Sequence, residues 1–286
     1  MLHTFLTRRF SYPIYFALMA ALTSCASQPE APVLNNLTGS ALAITSNRLD
    51  ALLPTDMLLL GEQHDAKEHQ QIHQQVIALL AQRGLLAAVA LEMADVGVTT
   101  AGLHPSSTEQ QTKSALKWND KGWPWEAYGP AVMTAVRAGV PVLGANQPRE
   151  LTRGNMNDSA LDSQLPGPAL KAQQQLIRIG HCNLLPESQI TPMTRIQIAK
   201  DISMANTLVK AALPGKVVLL LSGSGHTDRL LGVPQHLPST LQFKAVRLRA
   251  GPAAESDKAE AFDAVWQTPA LPEKDYCAAF KAQMGK

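Results

Sequence analysis

Aromatic residues are scarce in this chain, at 5% of the sequence. That scarcity argues against a carbohydrate-binding or all-β lectin-like surface, which stacks its ligand on rings. No cluster of lysine and arginine stands out either. The 25 basic residues face 23 acidic ones, leaving a formal net charge of +2. Without a basic stripe to neutralise phosphates, a nucleic-acid partner has no support. No internal repeat and no low-complexity tract is visible. Phe10 to Leu22 is almost uncharged and apolar, but it is too short to span a bilayer comfortably, and Pro13 interrupts it.

What is present at the N-terminus reads as a targeting segment. Arg8 and Arg9 supply a positive region ahead of the apolar stretch, which ends in Leu22-Thr23-Ser24-Cys25. That tetrapeptide resembles a bacterial lipobox, in which the cysteine thiol is acylated and becomes the new N-terminus. Residues 1–24 are then a lipoprotein signal peptide and Cys25 carries the lipid. The alternative is an ordinary secretory signal cleaved near Ala26. Residue 26 is Ala rather than Asp, which by the sorting rule of enteric-type bacteria points to the outer rather than the inner membrane. Residues 25–37 are polar, contain Pro29 and Pro32, and read as a tether. Residues 38–286 are long enough for one substantial core. Two cysteines remain after Cys25, namely Cys182 and Cys277. In an oxidising envelope an even pair suggests one disulfide; two buried free thiols are the other reading.

Five apolar runs read as strands: Met57 to Leu60, Ala87 to Leu91, Val140 to Leu143, Val217 to Leu221 and Ala245 to Leu248, with Phe262 to Trp266 as a sixth candidate. They are continuously apolar rather than alternating, the pattern of strands covered on both faces in a parallel sheet. Helical periodicity lies between them, over Ala66 to Gln82 before Gly84, and over Thr191 to Ala212 before Pro214-Gly215. The predicted fold class is α/β, a mostly parallel central sheet flanked by helices. The long segments 93–139 and 146–214 exceed one crossover helix and predict a helical insertion or cap.

Polar residues gather just after the predicted strand ends. Glu62 and His64 follow the first strand, Glu92 the second, Asn146 the third, and His226 the fourth. In a parallel sheet these carboxyl ends share one edge, where open α/β folds bind ligands. Glu62, His64, Glu92, Asn146 and His226 are therefore expected to share a cleft. Two carboxylates and two imidazoles in one cleft can transfer protons or hold a divalent metal. His69 and His73 fall on the apolar stripe of the helix with Ile72, Val76, Ile77 and Leu80, so packing rather than ligation is expected of them. The spacing is not the His-Glu-x-x-His of zinc proteases. Ser222-Gly223-Ser224-Gly225 lacks both the Lys-Ser/Thr ending of a phosphate loop and the leading glycine of a nucleophile elbow.

Several motifs then match one family in order. They are Leu60-Gly61-Glu62-Gln63-His64-Asp65 with His69, then Leu91-Glu92-Met93, then Trp123-Pro124-Trp125-Glu126-Ala127-Tyr128-Gly129-Pro130 running on to Pro141-Val142-Leu143-Gly144-Ala145-Asn146. His181-Cys182, Pro186, Met193, Gln197, Asp201 and Met204-Ala205 follow, and Gly223-Ser224-Gly225-His226 with Gly232-Val233-Pro234 closes the series. In these the chain resembles the ChaN-like haem-binding uptake lipoproteins, related to the Tiki, TraB and erythromycin-esterase-like proteins. One departure is Lys200, where the resemblance leads one to expect an arginine directly before Asp201.

The resemblance implies haem binding linked to iron acquisition, with haems stacked cofacially between two protomers. It implies a tyrosinate at iron, helped by a histidine from the partner. Tyr12 and Tyr15 leave with the signal, so Tyr128 and Tyr276 are the tyrosines of the mature chain. Tyr128, among Trp123, Trp125 and Pro130, is the leading candidate ligand, and His104 beside Pro105 is a second. Packing of the helical cap is the competing role for Tyr128. A lipid-anchored haem carrier, dimeric when loaded, is one expectation. A hydrolase working through Glu62, His64, Glu92 and His226, with a divalent metal as candidate cofactor, is the other.

Overall fold

A computed structural model describes residues 39–284, apart from 255, 256 and 258. Cys25, the signal segment and the tether lie outside the described residues. In chain order the elements are α1 (Gly39–Asp50), β1 (Met57–Glu62), α2 (Lys67–Gln82), β2 (Leu86–Asp95), α3 (Glu109–Ala115), α4 (Trp125–Arg137), β3 (Val142–Asn146), α5 (Thr152–Asn157), α6 (Gly167–Gly180), α7 (Glu187–Ala211), β4 (Val217–Gly223), β5 (Phe243–Ala250), β6 (Ala264–Thr268) and α8 (Tyr276–Met284). The six strands form one sheet in the order β3-β2-β4-β1-β5-β6. Every pair is parallel. The α/β class expected from the continuous apolar runs is what forms. No described helix is long and apolar enough to cross a membrane.

Alternate residues of each central strand feed two cores, because side chains on a strand point to opposite faces. Leu58, Leu60, Val89, Leu91, Leu219 and Leu221 pack with Ile77, Leu80 and Met133 on the face covered by α2 and α4. Met57, Leu59, Ala90, Val218 and Leu220 pack with Met204 and Leu208 of α7 on the other. All residues of β1 and of β4 are buried. Two covered faces are why these strands carry no polar alternation. The stripe of α2 lies inward, with His69, Ile72, His73, Val76, Ile77 and Leu80 all buried.

Several boundaries differ from the sequence expectation for identifiable reasons. Pro141 has no N–H to donate, so β3 starts at Val142 rather than Val140. β2 continues to Asp95, past the apolar run that ends at Leu91. Glu62 is thus the last residue of β1 and Glu92 lies within β2, so neither is a loop residue. α7 begins at Glu187, with Pro186 as its N-cap and Pro192 inside it. Segment 93–139 carries α3 and α4, and segment 146–214 carries α5, α6 and α7.

The outer edge of β3 is not left open. Residues 98–100 run back along it, with Thr100 N–H donating to Val142 O at 2.9 Å and Gly144 N–H to Val98 O at 3.0 Å. This caps an edge that would otherwise pair with another chain. The close approach needs Gly144, whose added Cβ would lie 1.9 Å from the Asp95 carbonyl oxygen. Gly144→Ala is therefore expected to lower the urea-unfolding free energy by about 1–3 kcal/mol. Gly102→Ala, where an added Cβ meets nothing within 4 Å, should change it by less than about 0.5 kcal/mol.

Candidate functional site

Glu62 and Glu92 lie on β1 and β2, which β4 separates, and face opposite cores. Both are buried, at 2% and 4% exposure, where an uncompensated carboxylate would be strongly disfavoured. Each therefore collects its own partners. Glu62 Oε1 accepts from the Tyr128 hydroxyl of α4 at 2.7 Å and lies 2.8 Å from His64 Nδ1. Its Oε2 accepts from Gln70 Nε2 of α2 at 3.1 Å, and His73 Nδ1 stands 3.6 Å away. Gln70 also donates to His64 O at 3.1 Å, fixing the loop that carries the imidazole.

Glu92 is held from the α7 side. Its Oε2 accepts the Gly223 N–H at 2.8 Å, and its Oε1 lies 3.3 Å from His226 Nε2. His226 Nδ1 lies 2.6 Å from Asp201 Oδ1 of α7. Carboxylates on both ring nitrogens make both of them N–H donors, which is the imidazolium form. Burial alone would lower the His226 pKa, but Glu92 and Asp201 outweigh it and raise it to about 10. Burial pushes Asp201 up to about 6 against the pull of His226. Burial also raises Glu92, but His226 and His64 overcome it, so this carboxyl falls well below its usual range.

His64 bridges the two halves across the sheet edge, with Nδ1 on Glu62 and Nε2 4.0 Å from Glu92 Oε2. Its side chain is 41% exposed, so it presents this network to solvent. Burial lowers its pKa, but the Glu62 hydrogen bond and the charge of Glu92 prevail and raise it. The bridge needs glycine at 223, where an added Cβ would lie 2.9 Å from His64 Nε2. Trp123 packs edge-on against His64, with ring centroids 4.9 Å apart.

Four of the five predicted cleft residues are thus linked: Glu62, His64, Glu92 and His226. Asn146 lies at the same sheet edge but turns to its own backbone, accepting from Gln147 N–H at 2.8 Å. Gln70 and Asp201 complete the network. Asp201 stood in a sequence motif without an assigned partner, and Gln70 carried no signal beyond its place on α2. His69 accepts the Gln63 N–H at 2.9 Å through Nδ1 and meets Thr268 Oγ1 at 3.1 Å through Nε2. Burial and the neighbouring His73 lower its pKa to about 4, so it is a neutral packing residue.

The divalent metal considered as a candidate cofactor finds no site here: among the described residues, no group of three or more His, Cys, Asp or Glu side chains is arranged to hold a metal ion. The reason is that Glu62 and Glu92 face opposite sides of the sheet, each engaged by its own partners. Tyr128, the leading iron-ligand candidate, is 2% exposed. Burial and the Glu62 carboxylate push its phenol pKa far up, and its hydroxyl donates to Glu62. His104 sits exposed before α3, with Nδ1 2.8 Å from Ser106 Oγ. No hydrogen bond links it to the network.

Above His64 opens a cleft of about 460 Å³. Its walls are Gln63, His64, Asp65, Gly122, Trp123, Pro124, Tyr128, Lys274 and Tyr276. Trp123 and Tyr128 meet edge-to-face with centroids 5.8 Å apart. Tyr276 is 50% exposed, and its hydroxyl donates to Asp65. Asp65 is therefore not the cap of α2, whose N-cap is Ala66 with no side-chain bond. Cys182 and Cys277 form a disulfide with Cα atoms 5.6 Å apart.

A family model described as haem-binding uptake, Tiki superfamily, ChaN, matches residues 48–237. The chain belongs to that family. The solved structure titled cofacial heme binding to ChaN of Campylobacter jejuni aligns with a TM-score of 0.62 at 26% identity, over 77% of this chain and 90% of that one. The structure of the type III effector HopBA1 aligns with a TM-score of 0.42 at 13% identity, over 79% of this chain and 94% of that one. None of the curated proteins matches. Glu62, His64, Glu92, Asp201 and His226 all fall inside the matched span, whereas Tyr276 and Cys277 fall beyond it.

The buried imidazolium has a measurable consequence. His226 keeps its proton in the folded state up to about pH 10, while the unfolded chain releases it near the ordinary histidine value of about 6.5. Its stabilisation is complete below about pH 6.5 and is lost as pH rises toward 10. Across that window this residue contributes a fall in unfolding free energy of up to about 1.4 kcal/mol per pH unit. His64 adds to the fall with the same sign. His226→Asn should remove the His226 part of the slope, and should cost about 3–5 kcal/mol at neutral pH because Glu92 and Asp201 lose their counter-charge. Urea unfolding of both proteins from pH 6 to 10 checks this.

Proposed function

We propose that this chain captures haem in the cleft between the Trp123 loop and Tyr276, serving haem or iron uptake. The observation that carries the reading is Tyr276, an exposed phenol at the rim of a cleft walled by Trp123 and Pro124. A flat apolar macrocycle suits such a wall, and polar groups at the rim orient it. Haem, when bound, supplies an iron centre able to take an oxygen or nitrogen donor. Tyr276 would be that donor on this chain, exchanging its hydrogen bond to Asp65, which raises its phenol pKa, for the iron. Lys274, also on the cleft wall, would face a propionate.

Two finer features belong to the same reading. An acyl chain on Cys25 would hold the domain at the outer membrane, where an incoming ligand is dilute and a tether raises encounter. A second copy would cover the face of the haem that one cleft leaves open. Cofacial binding by the Campylobacter jejuni relative supports that arrangement.

Hemin titrated into the oxidised protein should give a saturable Soret shift. Tyr276→Phe should weaken binding at least tenfold and alter the visible bands, whereas His104→Ala should leave both unchanged. A spectrum indifferent to Tyr276→Phe would reject Tyr276 as ligand. Absence of any saturable shift would reject haem capture itself.

A second reading rests on a different observation: His64 is a solvent-facing imidazole joined to two buried carboxylates. Such a group can shuttle protons, and hydrolysis is the reaction class that fits. Glu92, held strongly acidic, would anchor charge and not act as base. A screen of ester and peptide substrates should then reveal an activity abolished by His64→Asn. Hydrolysis persisting in Glu62→Gln would remove this site from the mechanism.

A further inference from the structure

We propose that the Cys182–Cys277 disulfide is the clamp that makes the C-terminal segment a wall of the cleft, so that ligand capture there depends on the oxidation state of that bond. This rests on the haem reading for its ligand but not for its geometry. Seven of the nine cleft residues lie between Gln63 and Tyr128, and the other two, Lys274 and Tyr276, come from the far end of the chain. The segment after β6 has no strand to hold it. Among the described residues, none of α8 belongs to the buried core, and Tyr276 itself is half exposed.

Three side-chain attachments hold this segment instead. Cys277, the residue after Tyr276, is bonded to Cys182 in the turn between α6 and α7. Phe280 sits one turn further along α8, with its ring centroid 5.6 Å from that of His181 in the same turn. The Tyr276 hydroxyl donates to Asp65 at the cleft mouth. Cys182 and Asn183 adopt φ values of 58° and 55°, a left-handed region that side chains other than glycine disfavour. The turn accepts that conformation where it presents Cys182 to α8.

The covalent attachment spans 95 residues, so it joins parts of the chain that would otherwise meet only through diffusion of the terminus. With the bond intact, Tyr276 is delivered to Asp65 as an intramolecular partner at high effective concentration. Reduction by a dithiol moves two electrons and two protons to the bond. It leaves thiols on Cys182 and Cys277 and a disulfide on the reductant. The edge contact of His181 with Phe280 and the exposed Tyr276–Asp65 hydrogen bond then remain. Both are weak in water, and the wall opens. The disulfide acts through Tyr276; it is a positioning element and does not touch the ligand.

The test compares wild type, Cys182→Ser/Cys277→Ser, Tyr276→Phe and the triple variant by hemin titration, with hydrogen exchange of the ligand-free proteins alongside. The double serine variant should bind hemin at least tenfold more weakly. Tyr276→Phe should add less than twofold on top of it, because both changes remove the same contact. Amides of residues 270–280 should exchange at least tenfold faster without the bond, while those of β1 and β4 stay protected. Hemin affinity of the double variant within twofold of wild type would overturn the proposal. If wild type takes up no hemin, the haem reading fails by itself, and hydrogen exchange judges the clamp: unchanged protection over 270–280 overturns it. Should the double variant not fold, wild type treated with dithiothreitol supplies the same exchange comparison.

Discussion

Two carboxylates are buried where a parallel sheet ends, and the groups above that edge are arranged to give each of them hydrogen-bond donors. Glu62 and Glu92 sit on strands separated by β4 and point to opposite faces. Each needs donors that the apolar cores beneath cannot supply. α2 and α4 answer on one side with Gln70 and Tyr128. The turn after β4 and helix α7 answer on the other, with Gly223 N–H, His226 and, behind it, Asp201. The orientation of α7 and the path of the β4 turn are therefore coupled to a charge on β2. Removing one partner does more than delete a hydrogen bond; it strands an ion in a low-dielectric setting.

Much of this was legible in the sequence because its cause is local. Continuous apolar runs announced strands covered on both faces, and a parallel sheet with its polar residues at the strand ends brings distant residues to one edge. Glu62, His64, Glu92 and His226 could be grouped on that basis alone. What periodicity does not carry is the face. Glu62 and Glu92 look equivalent as residues after an apolar run, yet strand continuation sends them to opposite cores. That is why a shared metal site was a reasonable expectation and does not form. For Tyr128 the sequence left ligation and packing of the cap open for a related reason. Its tryptophan and proline neighbours suggest an aromatic wall, but the i, i+4 geometry of α4 turns its hydroxyl inward to Glu62. The surroundings of Tyr276 could not be read from the sequence, because they are made by a covalent contact from another part of the chain, which no local pattern encodes.

The two functional readings meet at His64. This imidazole is the part of the network that faces the cleft, and Trp123 packs against its ring. A macrocycle seated against Trp123 would cover the same imidazole that hydrolysis would need in contact with water and substrate. Haem capture and hydrolysis at this edge are thus competing uses of one surface, and not independent functions on separate faces. The acidic network has a role under either. For hydrolysis it would set the proton affinity of His64. For capture it would hold His64 and Tyr128 rigid beneath the ligand, so that little ordering remains to be done on binding.

That competition gives weight to the part of the cleft that lies outside the family span. The Glu62–His64–Glu92–His226 edge falls within the matched residues 48–237, as does Trp123. The outer wall, Lys274 and Tyr276, does not. Among the described residues, α8 contributes nothing to the buried core, and a disulfide, a ring contact and a hydrogen bond tie the segment that forms the wall to the rest of the chain. The Glu62 and Glu92 carboxylates, at 2% and 4% exposure, cannot change their geometry without disturbing the sheet, whereas the wall is tied on by side-chain attachments. If the proposed clamp holds, adjustment of ligand capture would lie in the C-terminal segment and the constancy of the site in the sheet edge.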